Sequence, residues 1–340
     1  MKARVAAMTR SRQLLHDMSS LPNRPRSAAP KLQALLMPKP GLCRTAPVLA
    51  WTEPKPARKS SPPDLHETAA PPCKRPKELS FGGARGATRS PWGFFPCTME
   101  EEESGGASRH RLSAPEELDD APPDVVISRP HTPQDKRLCF GPFAFRLSPS
   151  SEVLAFLMAT TPLRRLLAGK RVLELGSGLG FTGIACAAWC DCAHVRLTDG
   201  DPQAVSQISK NVELNRPSYG STSVDAAELP WGAKEDDPGG DDGLYDVIFA
   251  ADCVYDRALH TALCQTIKRW LKPSGCTLVI ASRRCGSLDD FERVARGEFG
   301  VGTWPANYNS TVTRRFRAQK CFPSVMTLVK TRARGAASTR

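Results

Sequence analysis

The chain has 340 residues, with 47 Lys and Arg against 35 Asp and Glu, for a formal net charge of +12 at pH 7. Met1–Thr98 holds 17 of the basic and 5 of the acidic residues and 15 of the 30 prolines, which leaves 30 of each sign in the remainder. The excess positive charge is therefore no argument for a nucleic-acid partner of the part able to fold, and no apolar run approaches the length needed to cross a membrane, so a soluble protein is expected.

The segment 1–98 contains stretches such as "LPNRPRSAAP" and "TEPKPARKSSPPD" without sustained apolar periodicity, and is expected to be a disordered basic tail. It reads either as an address, with an Arg-rich, acid-poor start that resembles an organelle transit peptide and a short "CKRPK" nuclear signal, or as a dispensable extension ahead of Met99. On either reading its deletion is expected to leave the folded part and its activity intact. Residues 99–147 form an N-terminal extension whose "DVVISRP" and "LCFGPFAFRL" predict a strand pair, 148–332 the folded domain, and 333–340 a disordered C-terminus.

From Asp124 onward the chain alternates short β-rich runs with amphipathic helical ones. "SSEVLAFLMATT" predicts a serine-capped helix with Val153, Leu154, Leu157 and Met158 on one face. Strand one "RVLEL" is followed by a helix from about Phe181 to Trp189, strand two "HVRLTD", and a helix over "DPQAVSQISKNVELN" capped by Asp201 with Pro202 in its first turn. A weaker strand "TSVDAAEL" leads to the loop "AKEDDPGGDDG" and to the apolar strand four "YDVIFAAD", suited to burial on both faces. A helix "RALHTALCQTIKRWL", a "KPSG" turn, strand five "CTLVIAS", a helix around "LDDFERVAR" and a last strand "SVMTLVK" complete the pattern. This alternation predicts an α/β fold with a doubly wound sheet, in which ligands bind beyond the carboxyl ends of the strands.

The 12 cysteines lack paired spacing and a secretory signal, which predicts reduced intracellular thiols. Cys186, Cys190 and Cys192 lie close together, but no second C-x-x-C or His pair completes four ligands, so they are read as packing residues and no metal is expected.

"VLELGSGLGFTGI" carries two glycine patterns. Gly178, Gly180 and Gly183 spell the dinucleotide fingerprint, while Glu174, Gly176, Gly178 and Gly180 spell E-x-G-x-G-x-G. Either cofactor uses glycines for close backbone approach and an acid at the end of strand two, here Asp199, for ribose hydroxyls. Four features favour S-adenosylmethionine. Glu174 lies inside strand one, where a carboxylate suits a cationic sulfonium, or else caps loop amides. Trp231 in "ELPW" offers a flat face to adenine, or else belongs to the core. Asp252, Cys253, Val254 and Tyr255 form D-C-V-Y at the mouth of strand four, with Asp256 one step nearer the next helix as its alternative cap. The sequence after the sheet is also too short for the second catalytic domain that dehydrogenases of this fold generally use.

"VLELGSGLGFTGI", "LTDGD", "ELPW", "AADCVY" and "LKPSG" together resemble the family 16 seven-strand protein-lysine methyltransferases over roughly Ser148 to Lys330. Within that family, "SSEVLAF", "LTDG", "ADC", "IKRWLKPSG", "SRRCGSLDDF" and "NYNSTV" are most similar to members acting on calmodulin, while the glycine loop has the form shared with members acting on elongation factor 2 or chaperones. The resemblance implies a Rossmann-like class I sheet of seven strands with an antiparallel last strand. It places Gly176, Gly178 and Gly180 at the methionine part of S-adenosylmethionine, Asp199 at ribose, Trp231 at adenine and Ala251 in the pocket wall, with Ser177 and Gly200 as further cofactor-binding candidates. Asp252 and Tyr255 match its D-x-x-[YF] motif and become the catalytic candidates. Ser148 stands where the family usually has a tryptophan.

Methyl transfer needs an amine with a free lone pair, whereas a lysine of pKa about 10.4 is protonated at neutral pH. Asp252 suits capture and aiming of the ammonium better than the part of a strong base, and Tyr255 suits a wall for the lysine stem. Arg283 and Arg284, on the same rim, read either as solvated surface or as a steering pair for an acidic protein substrate. The expected protein is a monomeric cytoplasmic, and also nuclear, lysine methyltransferase acting on calmodulin. An RNA methyltransferase is disfavoured because D-C-V-Y lacks the prolines and amide of an N-P-P-[YF] site, and a non-catalytic cofactor-binding protein is disfavoured by the intact acids.

Overall fold

The computed structural model describes residues 88–103, 106–115, 122–131, 146–233, 243–283, 286–317 and 321–331. Four antiparallel strands come first: β1 (Thr88–Arg89), β2 (Pro96–Glu101), β3 (Ala107–Leu112) and β4 (Val125–Pro130), paired in chain order. Helix α1 (Pro149–Thr160) and the short α2 (Leu163–Leu167) lead into the main sheet. That sheet is built from β5 (Arg171–Leu175), β6 (His194–Asp199), β7 (Ser223–Glu228), β8 (Tyr245–Ala251), β9 (Leu271–Ser282), β10 (Phe299–Thr303) and β11 (Pro323–Lys330). Its order is β10-β11-β9-β8-β5-β6-β7, and β11 runs antiparallel to both its neighbours, as the family resemblance implied. Helices α3 (Phe181–Trp189), α4 (Pro202–Asn215), α5 (His260–Trp270), α6 (Ser287–Arg296) and α7 (Ser310–Phe316) complete the fold.

The central strands are apolar because both of their faces are covered. In β5 every residue from Val172 to Leu175 is buried, and β8 is buried at Tyr245 and from Val247 to Ala250, whereas the edge strand β7 has no buried residue. The chain leaves β5 between β6 and β8, so the carboxyl ends of these three strands open the switch-point crevice where such sheets bind ligands.

Four expectations are corrected. The boundary at Thr98 falls inside β2, and part of the supposed tail belongs to the core: Phe95 is 0% exposed and packs against Phe181 and Trp189 of α3, while Phe94 lies against Phe156 of α1 and Phe316 of α7. Charge and proline content averaged over 98 residues hid the aromatic "SPWGFF" at their end. Strand β4 pairs with β3 along its length, so the expected strand pair has a different partner; 138–145 of "LCFGPFAFRL" lie outside the described residues, as does most of the loop "AKEDDPGGDDG". The "KPSG" segment is not a turn ahead of strand five but sits as an irregularity within β9, where pairing passes from Tyr245↔Leu271 to Val247↔Cys276. A Cβ on Gly275 would come within 2.9 Å of the Asp246 carbonyl, so the chain needs glycine to pass there. Finally, β10 and α7 were not anticipated.

One edge of the N-terminal sheet is closed by a helix. Strand β4 meets α4, where the Asn215 side chain accepts from the Val126 N–H (2.8 Å) and donates to its carbonyl (2.6 Å). One turn earlier Asn211 accepts from the Ser128 N–H (2.9 Å), and Gln207 donates to the Ser128 carbonyl (2.7 Å). Carboxamides at i, i+4 and i+8 thus take the place of a neighbouring strand.

Candidate active site

The loop between β5 and α3 is made possible by three left-handed glycines, Gly176 (φ 63°), Gly178 (φ 56°) and Gly180 (φ 80°). At Gly176 the lack of a side chain is also steric, because a Cβ would lie 2.9 Å from the Cys253 sulfur and 3.2 Å from the Trp231 ring. Ser177 ties the loop to β6: its N–H donates to the Thr198 carbonyl (2.8 Å) and its hydroxyl accepts from the Thr198 N–H (3.1 Å). From behind, the Asn211 side-chain amide donates to the Leu179 carbonyl (2.9 Å), which links the loop through α4 to β4.

Glu174 is buried beneath this loop and accepts from the Gly183 N–H (2.9 Å) in the first turn of α3. Burial pushes its carboxyl up to about 7, against the opposing effect of hydrogen bonds from Ser177 and Gly183. This contact is the amide-capping alternative for Glu174. It also accounts for the third glycine of the dinucleotide pattern, since a Cβ on Gly183 would meet the Glu174 carboxylate and Leu197, each at 2.7 Å. At the end of β6, Asp199 accepts from the Gly178 N–H (3.0 Å) with one oxygen and the Asp201 N–H (3.1 Å) with the other. Each carboxyl oxygen retains a second acceptor position. Gly200 follows on the exposed rim, and the half-buried Trp231 packs against the core beneath β8.

Ala251 ends β8, and the next residue turns sharply. Asp252 has φ 61°, one of two non-glycine residues with positive φ among the described residues, and its N–H donates to the Ile280 carbonyl (2.8 Å). The helical cap is supplied by Asp256, which accepts from the Ala258 N–H (2.9 Å), so Asp252 is not required for it. Burial and then the carboxylates of Glu174, Asp199 and Asp252 hold the Cys253 thiol well above its usual range. Three acids from the ends of three adjacent strands thus act electrostatically on one buried thiol. Beneath the turn, the His260 Nε2–H donates to the Val254 carbonyl (3.0 Å), as does the Ser287 hydroxyl. Tyr255 stands on the rim, 57% exposed. Arg283 is exposed and pairs with Asp289 (2.9 Å), and Arg284 lies outside the described residues.

Residues 147–295 match the protein family described as lysine methyltransferase. Calmodulin-lysine N-methyltransferase of Arabidopsis thaliana is 39% identical over 170 residues, covering 49% of this chain and 54% of that protein. Protein N-lysine methyltransferase METTL21A of Danio rerio is 40% identical over 120 residues, 35% of this chain and 51% of that protein. EEF1A lysine methyltransferase 3 of Xenopus tropicalis is 40% identical over 100 residues, 29% of this chain and 41% of that protein. The chain spans about half the length of the curated relatives it matches.

The domain begins at a position with an unusual neighbour. Ser148 caps α1, accepting from the Ser151 N–H (3.0 Å), so the residue in the family's tryptophan position here has a helix-capping contact. An indole nevertheless lies beside it: Trp92 Nε1 donates to the Leu147 carbonyl (3.2 Å) from outside the matched residues. Sequence reasoning missed Trp92, Asn211, His260 and Ser287 as residues that hold the site. Only Asn211 carried a readable sign, as the middle of a carboxamide stripe spaced at four residues along "QISKNVELN". Cys186, Cys190 and Cys192 are buried in the core, with the Cys186 and Cys192 sulfurs 3.6 Å apart.

Proposed function

We propose that this methyltransferase domain transfers a methyl group from S-adenosylmethionine to a lysine side chain of a protein, and that calmodulin is the substrate. The observation that carries the reading is a loop of left-handed glycines, with Trp231 and Cys253 packed against Gly176, at the carboxyl ends of adjacent strands that carry Glu174, Asp199 and Asp252. Such a pocket is negative and open to backbone approach, which suits a cationic ligand next to a cationic amine. The glycine cradle fits the cofactor, since a side chain at Gly176 would fill the space beside Trp231 and Cys253. Gly176, Ser177, Gly178 and Gly180 would hold the methionine part, Asp199 and Gly200 the ribose, and Trp231 and Ala251 the adenine. Glu174 acts from beneath, by fixing the first turn of α3 through the Gly183 N–H.

When bound, S-adenosylmethionine supplies a methyl group on a positively charged sulfur. The protein's own task is to prepare the amine. Asp252 accepts from the incoming ε-ammonium and sets its direction; burial and neighbouring positive charge lower the lysine pKa, and the proton passes to water. Tyr255 walls the lysine stem at the rim. Most of the acceleration then comes from alignment, which is worth up to about 7 to 11 kcal/mol in well-oriented systems.

Identity to the Arabidopsis relative supports calmodulin; identity to the Xenopus relative favours a second reading, in which EEF1A is the substrate. Calorimetry of the full chain tests the cofactor. S-adenosylmethionine is expected to bind and NAD not to, and Asp199→Ala is expected to weaken binding about tenfold or more by removing charge-assisted bonds of roughly 1.5 to 3 kcal/mol each. Binding of NAD alone would overturn the reading.

A further inference from the structure

A cavity of about 320 Å³ lies on the same rim, and none of the proposed chemistry uses it. Trp304, Tyr308 and Phe322 line it, with Arg283 at its edge. The rings stand edge to face, Trp304 to Tyr308 at 5.9 Å and Tyr308 to Phe322 at 5.8 Å, and all three are half-buried. The walls are fixed: the Tyr308 hydroxyl donates to the Pro323 carbonyl (2.8 Å), and the Trp304 N–H to that of Val325 (2.9 Å). This box is therefore shaped before anything enters it.

Its chemistry selects among occupants. Aromatic boxes attract cations through their ring faces, but such sites need no competing positive charge. Here the one charged residue among the described lining is a guanidinium, which disfavours a second lysine or a methylated one. Arg283 shares its charge with Asp289 in an exposed pair, the kind that contributes little and exchanges readily. A large apolar side chain with a carboxylate beside it satisfies both the rings and the arginine.

Position connects the box to the reacting amine. The Asp252 N–H is tied to Ile280 of β9; two residues further on, Ser282 pairs with Pro323 of β11, next to Phe322. From β8 to β11 is two strand spacings, about 10 Å, which an extended peptide covers in about three residues.

We propose that Trp304, Tyr308, Phe322 and Arg283 form a substrate-selecting subsite for an apolar side chain flanked by an acidic residue, about 10 Å from the target lysine of a protein substrate. Its placement relative to the lysine rests on the methyl-transfer reading; its ligand preference does not.

Two measurements on the full chain keep these apart. In saturation-transfer NMR, N-acetyl-Phe-Asp-amide is expected to bind with its ring protons most saturated, and N-acetyl-Phe-Lys-amide and N-acetyl-Ala-Asp-amide to give markedly weaker signals. Arg283→Glu, an exposed substitution, is expected to abolish the preference for Asp over Lys, and Phe322→Ala to remove the ring signal. Equal signals from all three peptides, or an unchanged preference in Arg283→Glu, would overturn the subsite. In steady-state kinetics with calmodulin, Arg283→Glu is expected to raise KM about tenfold with kcat within about twofold, as for loss of a rim charge pair. A normal KM in Arg283→Glu would also overturn it. If the wild-type chain leaves calmodulin unmodified, the substrate assignment fails, and the peptide measurement still decides the subsite.

Discussion

The segment 88–98 offers the sharpest structural test, because it was expected to be dispensable and is instead built into the core. Two truncations separate the possibilities, one starting at Thr88 and one at Met99. The longer deletion removes Phe94 and Phe95, both buried, and truncation of a buried Phe costs about 3 to 5 kcal/mol. It also strips Glu152 of α1, which is fully buried, of the Ser90 hydroxyl (2.5 Å) and the Trp92 N–H (3.0 Å). An unsatisfied buried acid adds roughly 1 to 3 kcal/mol or more. The sum, on the order of 10 kcal/mol, rivals the roughly 5 to 15 kcal/mol that holds a typical domain together. Urea melts followed by far-UV circular dichroism should therefore show cooperative unfolding for the chain starting at Thr88, near that of the full chain. The chain starting at Met99 should be unfolded or aggregated. The point variant Phe95→Ala should lower Tm by on the order of 10 °C, at about 2 to 4 °C per kcal/mol for a domain of this size. If the two truncations melt together, the reasoning about this segment is refuted.

Other outcomes follow from the two buried acids and the glycine loop. Burial raises the carboxyls of both Glu152 and Glu174 to about 7, so between the unfolded value and 7 the folded chain keeps protons that the unfolded chain has lost. The stability this gives is fully present below about pH 4.5 and is lost as pH rises through 7; each group removes about 2 kcal/mol between about pH 5.5 and pH 8. Denaturant midpoints should fall over that range, and Glu152→Gln should flatten the fall by about half; an unchanged slope would show that Glu152 does not titrate there. Gly183→Ala drives a Cβ to 2.7 Å from the Glu174 carboxylate and from Leu197, and should cost about 1 to 3 kcal/mol in a melt. A neutral result would mean that α3 shifts freely over β5.

Much of this arrangement was readable beforehand, and the exceptions have physical causes. The elements from β5 to α4 came out at or near their observed bounds because each signal agreed with the next: an apolar strand, glycines, a helix, and the Asp201-Pro202 start of α4. Strand β10, "FGVGT", was hidden by two glycines, which weaken local strand preference; it forms because β11 offers an edge along its whole length. "SPWGFFP" reads locally as turn residues, and distant residues such as Glu152, Phe156, Phe181 and Trp189 give it a fixed place. The acids of the site were visible as residues at strand ends. That Glu174 would face the α3 amides, and that Asp252 would take a left-handed turn, depend on packing no motif encodes.

The central claim is that Asp252 prepares a protein lysine for methylation. The variant to compare is Asp252→Asn, because asparagine tolerates the left-handed backbone that this residue adopts (φ 61°) whereas alanine would add strain. Full-length wild type and variant are incubated with S-adenosylmethionine and calmodulin, and intact-mass and peptide spectrometry locate any added methyl groups, alongside calorimetry of cofactor binding. Wild type should methylate a calmodulin lysine, and Asp252→Asn should bind the cofactor within about twofold while losing on the order of a hundredfold or more in rate, the scale on which positioning and electrostatic groups act. A variant that keeps its rate, or a wild type that binds the cofactor and labels RNA but no lysine, would contradict the account.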